Sequence, residues 1–116
     1  MSKRAANQLL FSYGTLRQPD VQIALFGRTL NGEADAMMGW HRRMIEVSDP
    51  DVIAKSGTRW HPLVEPSADA DDRVEGVVLH LCAQDLAHAD AYEVDYCRQQ
   101  VRLASGRLAW FYGARA

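Results

Sequence analysis

Leu9-Leu10-Phe11-Ser12-Tyr13-Gly14-Thr15-Leu16 decides how the rest of the chain reads. Leu9, Phe11 and Tyr13 alternate with Leu10 and Ser12, so both parities carry bulk and the run reads as a strand covered on both faces. The strand stops at Gly14, a residue that turns the backbone sharply or lets a ligand come close to it. Thr15 adds a hydroxyl and an N–H. A strand ending in Tyr-Gly-Thr-Leu can aim successive N–H groups at one point, which suits an anion or a carbonyl oxygen. For these four residues alone, a plain β-turn after a core strand is the simpler reading.

Working outward, the 116 residues are expected to form one domain over 1–116, large enough to bury roughly two thirds of its unfolded surface without a disulfide or a metal. Thirteen basic residues against fifteen acidic ones give a net charge of −2, which argues against a nucleic-acid binder or a polybasic membrane module. Arg42-Arg43 is the densest internal basic pair. The start, Met1 to Asn7, is basic but has no apolar segment of signal-peptide length behind it, so neither a secretory signal nor a membrane span is expected. Cys82 and Cys97 form no CxxC, and free thiols in a cytoplasmic protein are the simplest account. The four histidines lack metal-ligand spacing, and a buried, unreactive thiol is expected at Cys97.

Pro19 just inside a helix start and Gly27 just past its end predict one short helix, with Asp20 in its first turn and Val21, Ala24 and Leu25 as its apolar stripe. Asn31-Gly32 is a turn signal, and Ala36–Val47 reads as a strand or bent ribbon with a bulge near Gly39. Ser48–Asp51 and Ser56–Thr58 punctuate a loop region. Trp60–Val64 is expected as an edge strand, because Pro62 forbids a central one. Pro66–Arg73 is an exposed polar loop. Val74–Leu81 is the firmest strand, dense in valine. Ala83–Asp95 has helical composition, and Arg98–Ala104 and Leu108–Tyr112 form a hairpin around Ser105-Gly106. The expected class is α+β, with one main helix, one short helix and a small mixed sheet curled toward a barrel that closes its own edges.

On the late helix, Leu86, Ala89, Asp90 and Glu93 share one face, which begins apolar and ends with two carboxylates. A carboxylate on the packed side is partly desolvated, its pKa rises, and it can both accept and donate a proton. The competing reading places Asp90 and Glu93 on a solvated face beside Arg98.

The β1 loop and the late helix both carry a family likeness. Leu10 to Arg17 resembles the opening Y-G-[ST]-L motif of the γ-glutamylcyclotransferase-like, or AIG2-like, superfamily. Val21–Arg28 is similar to the V-x-x-x-L-x-G-R segment that follows it. Pro62-Leu63-Val64 resembles the proline-containing strand, and Val74–Val78 the V-x-G-x-[VL] strand. Asp90-Ala91-Tyr92-Glu93 with Tyr96 and Arg98 resembles the L-D-x-[YF]-E…Y-x-R signature, and Ala109–Tyr112 the closing aromatic strand. The ordered set spans roughly residues 9 to 112. Two positions depart from the pattern: Ala89 replaces a leucine before the aspartate, and Val94 replaces a common glycine.

The resemblance implies a small barrel-like mixed sheet and cleavage of a γ-glutamyl amide. The substrate's own α-amine attacks its γ-carbonyl, giving 5-oxoproline and a released amine. The family's catalytic glutamate falls on Glu93, and the loop Tyr13, Gly14, Thr15 and Leu16 holds the substrate through backbone groups. The residues suit this chemistry. Glu93 as general base takes a proton from the α-ammonium and as general acid passes it to the leaving nitrogen. The nucleophile lies in the substrate, so orientation is the main task and neither a metal nor another cofactor is called for. N–H groups of the Gly14–Leu16 turn can stabilise the oxyanion or fix the α-carboxylate. Expected partners are a small γ-glutamyl amine or peptide, with no nucleic acid and no membrane. Two alternatives stay open: a non-catalytic small-ligand-binding or interaction module of the same fold, and a cyclotransferase acting on isopeptide-linked or biosynthetic γ-glutamyl compounds. The second half of the pocket is expected from Met37–Ile45 and the loop around Ser56–Trp60.

Overall fold

A computed structural model describes residues 7–46, 48–57, 59–93 and 96–114. The basic start at Met1–Ala6, Thr58 and Val94 lie outside the described residues. The strands are β1 (Gln8–Ser12), β2 (Gly32–Met38), β3 (Trp40–Glu46), β4 (Trp60–Pro66), β5 (Arg73–Leu81), β6 (Tyr96–Arg102) and β7 (Leu108–Ala114). The helices are α1 (Pro19–Phe26), α2 (Pro50–Ser56) and α3 (Ala83–Tyr92), and Thr15–Arg17 forms a 3₁₀ turn.

The two-sided apolar pattern of β1 puts it in the middle of a five-stranded sheet of order β2-β5-β1-β7-β6. β1 runs antiparallel to β5 and parallel to β7, so the sheet is mixed. Its two faces have separate cores. Phe11, Tyr13, Val74, Val78 and Phe111 face one side, where Val64 and Trp40 of the β3–β4 ribbon cover them. Trp40 meets Phe111 edge to face, with centroids 5.1 Å apart. Leu10, Leu79, Leu81 and Tyr112 face the other side, under Leu86 and Ala89 of α3 and Val21, Leu25 and Phe26 of α1. Gly76 of β5 lies against the end of β1, where a Cβ would stand 2.4 Å from Ser12 O and 2.7 Å from Phe11 Cζ. Only glycine lets β5 pass so close to the strand end that leads into the Tyr13–Leu16 loop.

The α+β class and the mixed sheet stand, but the curled, barrel-like closure does not form. β3 and β4 pair with each other alone, as a separate two-stranded ribbon, and among the described residues no ladder joins β2 to β6. The cause lies at Gly39, whose φ of +81° turns the chain out of the sheet between β2 and β3. Gly39 N–H donates to Asp72 O at 2.7 Å and Gly39 O accepts from Ser67 N–H at 2.8 Å, which locks the break on both sides. The β6–β7 hairpin tip instead covers part of β2: Ala104 N–H donates to Ala36 O at 2.8 Å, and Ser105 N–H to Asp35 at 3.2 Å. Arg107 pairs with Glu33 nearby.

Smaller corrections have local causes. The segment Ser48–Thr58, expected as a loop, contains α2: Asp49 caps it by accepting from Asp51 N–H, Pro50 fills its first turn and Gly57 ends it. The count of one main and one short helix therefore rises to three helices among the described residues. β2 begins at Gly32, where a turn was expected. In α1, Ala24 is exposed and Gln22 is buried in its stead; its amide donates to Leu16 O at 2.8 Å and its carbonyl accepts from Leu30 N–H at 2.9 Å. The hairpin closes through Leu103 N–H to Arg107 O and Gly106 N–H to Leu103 O, a longer connection than the two-residue turn expected at Ser105-Gly106. α3 ends at Tyr92, not Asp95. Cys97 is exposed, not buried, while Cys82 is buried, and both are free.

Candidate active site

Tyr13, Gly14, Thr15 and Leu16 follow directly from β1 and bend across the end of the sheet. Each of their four carbonyls is held by the protein. Tyr13 O accepts from Arg42 Nη1 at 3.3 Å. Gly14 O accepts from Arg17 N–H at 3.3 Å and Arg17 Nε at 3.1 Å. Thr15 O accepts from Gln18 N–H at 2.9 Å, and Leu16 O from the buried Gln22 amide at 2.8 Å. The Gly14 N–H turns back to Ser12 Oγ at 3.4 Å. Among the described residues, no partner takes the N–H of Thr15 or of Leu16. Gly14 O and Thr15 O are held within the 3₁₀ turn, by Arg17 and Gln18, while Tyr13 O and Leu16 O are tied to β3 and α1; the N–H groups of Thr15 and the buried Leu16 are the first two of that turn. Gly14 has φ −133° and ψ −144°, and a Cβ there would touch only Pro62 Cγ at 3.6 Å. Its glycine is therefore not demanded by strain; it keeps the loop surface low.

Glu93 sits at the carboxyl end of α3 and is half-buried. Its N–H donates to Ala89 O at 2.9 Å and its O accepts from Tyr96 N–H at 3.0 Å, so the backbone is fixed where the helix stops. Ala89 is wholly buried; in place of the family's leucine, a small residue lets α3 pack closely on the sheet. The loop and the helix end are brought together by tyrosines. Tyr92 OH lies 3.0 Å from Thr15 Oγ1. Tyr13 OH donates to Tyr112 O, and Tyr112 OH donates to Asp90 Oδ1 at 2.7 Å. Burial pushes the Tyr13 hydroxyl well above its ordinary range, and the charges of Tyr96 and Glu93 push it further. Burial, the bond to Asp90 and that residue's charge do the same for Tyr112, with a further contribution from Glu93. Both hydroxyls stay protonated at neutral pH, as donors already in use.

Asp90 separates from Glu93 in role. It accepts from Tyr112 and forms an ion pair with Arg98 Nε at 3.2 Å, while the Arg98 guanidinium lies 4.5 Å above the Trp110 ring. This much of the solvated-face reading holds for Asp90. Tyr96 OH donates to Pro62 O at 3.0 Å, tying β6 to the ribbon beside Gly14. Arg102 donates to Gly106 O and serves the hairpin. Sequence reasoning passed over Gln22 and the contact of the exposed Arg42 with the Tyr13 carbonyl, which joins residues 29 apart in the chain. Among the described residues, no group of three or more His, Cys, Asp and Glu could hold a metal ion, and no helix is long and apolar enough to cross a membrane.

The loop after β1 is joined to the carboxyl end of α3 through Thr15 and Tyr92, and Glu93 follows Tyr92 directly. The profile of the family described as "Gamma-glutamyl cyclotransferase, AIG2-like" matches residues 10–116, and the chain belongs to that family. Among solved structures, one similar to it is described as "Gamma-glutamyl cyclotransferase": TM-score 0.72, 12% identity, covering 97% of this chain and 68% of that one. Two Arabidopsis thaliana proteins solved in solution are also similar. One has TM-score 0.70 at 23% identity over 92% of this chain and 68% of that one; the other has 0.69 at 19% over 98% and 64%. At these identities the likeness is one of fold. The chain spans about two thirds of the length of these structures. No curated protein sequence matches it.

Proposed function

We propose that this chain is a γ-glutamylcyclotransferase-type enzyme. It cleaves a γ-glutamyl amide by attack of the substrate's α-amine on its own γ-carbonyl. The carbonyl carbon gains the bond to the α-nitrogen and loses the bond to the amide nitrogen; 5-oxoproline and a free amine leave. The α-nitrogen sheds two protons as it goes from ammonium to ring N–H: Glu93 takes the first and returns it to the departing nitrogen as the C–N bond breaks, and the second follows the same way, so the amine leaves as its ammonium. Atoms and charge balance without water, metal or a covalent enzyme intermediate. Family membership supports the reaction class. The feature that supports the reading in this chain is the loop itself: its four carbonyls are held, the Thr15 and Leu16 N–H groups begin the 3₁₀ turn, and Thr15 is bonded to Tyr92 at the end of α3. Two N–H donors of this kind suit the tetrahedral oxyanion, which accepts more strongly than the ground-state carbonyl.

The test is 5-oxoproline release from glutathione, γ-glutamyl amino acids and γ-glutamyl-ε-lysine, wild type beside Glu93→Gln. An amide cannot shuttle the proton, so turnover should fall by about 10²–10⁴ with folding unchanged. Equal turnover in both proteins would remove Glu93 from the mechanism.

A further inference from the structure

We propose that Arg42 binds the α-carboxylate of the substrate, which leaves the Thr15 and Leu16 N–H groups to the oxyanion. The inference rests on the reading of the site given above and assigns a ligand group that the loop alone leaves open. Arg42 and Arg43 are neighbours of opposite parity on β3. Arg43 points outward and holds Glu65, with Nε 2.8 Å from Oε1. Arg42 lies opposite Val64 and takes that face of the ribbon, although the residue itself stays exposed. There it donates through Nη1 to Tyr13 O, a backbone carbonyl, and its charge lowers the Tyr13 hydroxyl pKa against the larger effect of burial. Next along the same face comes Pro62, the neighbour of Gly14. A guanidinium has five N–H donors in a planar fork, and one hydrogen bond to a carbonyl neither neutralises it nor uses up the fork.

The chemistry asks for such a group. A γ-glutamyl amide carries an ammonium and a carboxylate on one carbon. Glu93 takes the ammonium proton, and its own charge repels the carboxylate. A cation anchored at the first carbonyl of the loop offsets that repulsion and fixes the α-carbon, so that the amine faces the γ-carbonyl. One pair of N–H groups cannot hold the carboxylate and the oxyanion at once. With Arg42 on the carboxylate, each anionic group has its own donors.

The discriminating pair of probes is 5-oxoproline and 2-pyrrolidinone, which share the ring and differ in the carboxylate. Binding to the full chain is measured by calorimetry or NMR titration, which does not depend on turnover. Wild type is expected to prefer 5-oxoproline by roughly tenfold or more, the usual worth of hydrogen bonds to a charged group. Arg42→Gln should bring the ratio close to one, Arg42→Lys should keep part of it, and Arg43→Gln should keep it whole. No preference in wild type, a wild-type ratio in Arg42→Gln, or a collapse in Arg43→Gln would overturn the assignment. A wild type that prefers 5-oxoproline but releases none from any amide would leave the carboxylate site standing and remove the catalytic reading.

Discussion

At its amino end α3 carries Asp85, 3% exposed, with both oxygens occupied. Arg28 donates to Oδ2 at 2.7 Å and Oδ1 at 3.3 Å, and Cys82 N–H and Sγ donate to Oδ2 at 3.1 and 3.2 Å. At the carboxyl end of the same helix sits Glu93, half-buried, whose charge is felt by two protonated tyrosine hydroxyls. Burial by itself would raise the Asp85 pKa. The Arg28 bond and the two Cys82 donors outweigh it and bring the group down to about 2. An acid held this way is a permanent anion at neutral pH. It fastens the chain after α1 to the start of α3 and exchanges no proton. Burial alone therefore does not mark a catalytic carboxylate; the donors around it decide whether its charge is committed.

The comparison can be broken first at the anchored end. Asp85→Ala leaves Cys82 N–H and the Arg28 charge without their acceptor and should cost about 3 kcal/mol, read as a lower urea midpoint with an unchanged slope. A midpoint within error of wild type would mean that the anchor is ornamental. The same group sets a pH window. Its pKa falls from 3.8 to about 2 on folding, so it contributes about 2 kcal/mol, whole above about pH 4 and lost as pH falls through 2. Asp85→Asn should therefore be less stable than wild type at pH 6, and the gap should close toward pH 2. A gap constant with pH would show that its charge is not what matters. Tyr112→Phe deletes the donor to Asp90 and should cost about 1–2 kcal/mol. The smallest effect is expected at Tyr92→Phe, where the bond to Thr15 is exposed: stability should stay within about 0.5 kcal/mol, and any loss of activity should fall on KM. A large stability loss there would make the loop contact part of the core.

These two ends were unequally legible in the sequence. The acidic face of Asp90 and Glu93 showed in the helical spacing, and the family likeness singled out Glu93. Asp85 carried no such signal, because its partner Arg28 is 57 residues away and no local pattern links them. The same distinction runs through the fold. β1, α1 and β5 read correctly where a short-range signal fixes them (two-sided apolar parity, Pro19 and Gly27 as helix start and stop, the valine run), and the β6–β7 hairpin was read apart from the length of its turn. α2 carried its signals too, but Asp-Pro and Ser-Gly-Thr spell a turn as readily as a cap and a stop. Closure of the sheet was misjudged because it depends on the left-handed turn at Gly39 and on bonds to Ser67 and Asp72 that sequence proximity does not show. Gln22 escaped notice because a buried amide is bland in sequence and is explained only by the Leu16 and Leu30 backbone groups it satisfies.

The account turns on Glu93 doing chemistry that Asp85 cannot, and one measurement addresses it directly. Wild type and Glu93→Gln, each shown to be folded by its urea transition, are incubated with the panel of γ-glutamyl amides, and 5-oxoproline is followed with time. The account predicts release by wild type from at least one amide and a loss of about 10²–10⁴ in the variant, with the two midpoints alike. Release that survives the substitution would contradict it.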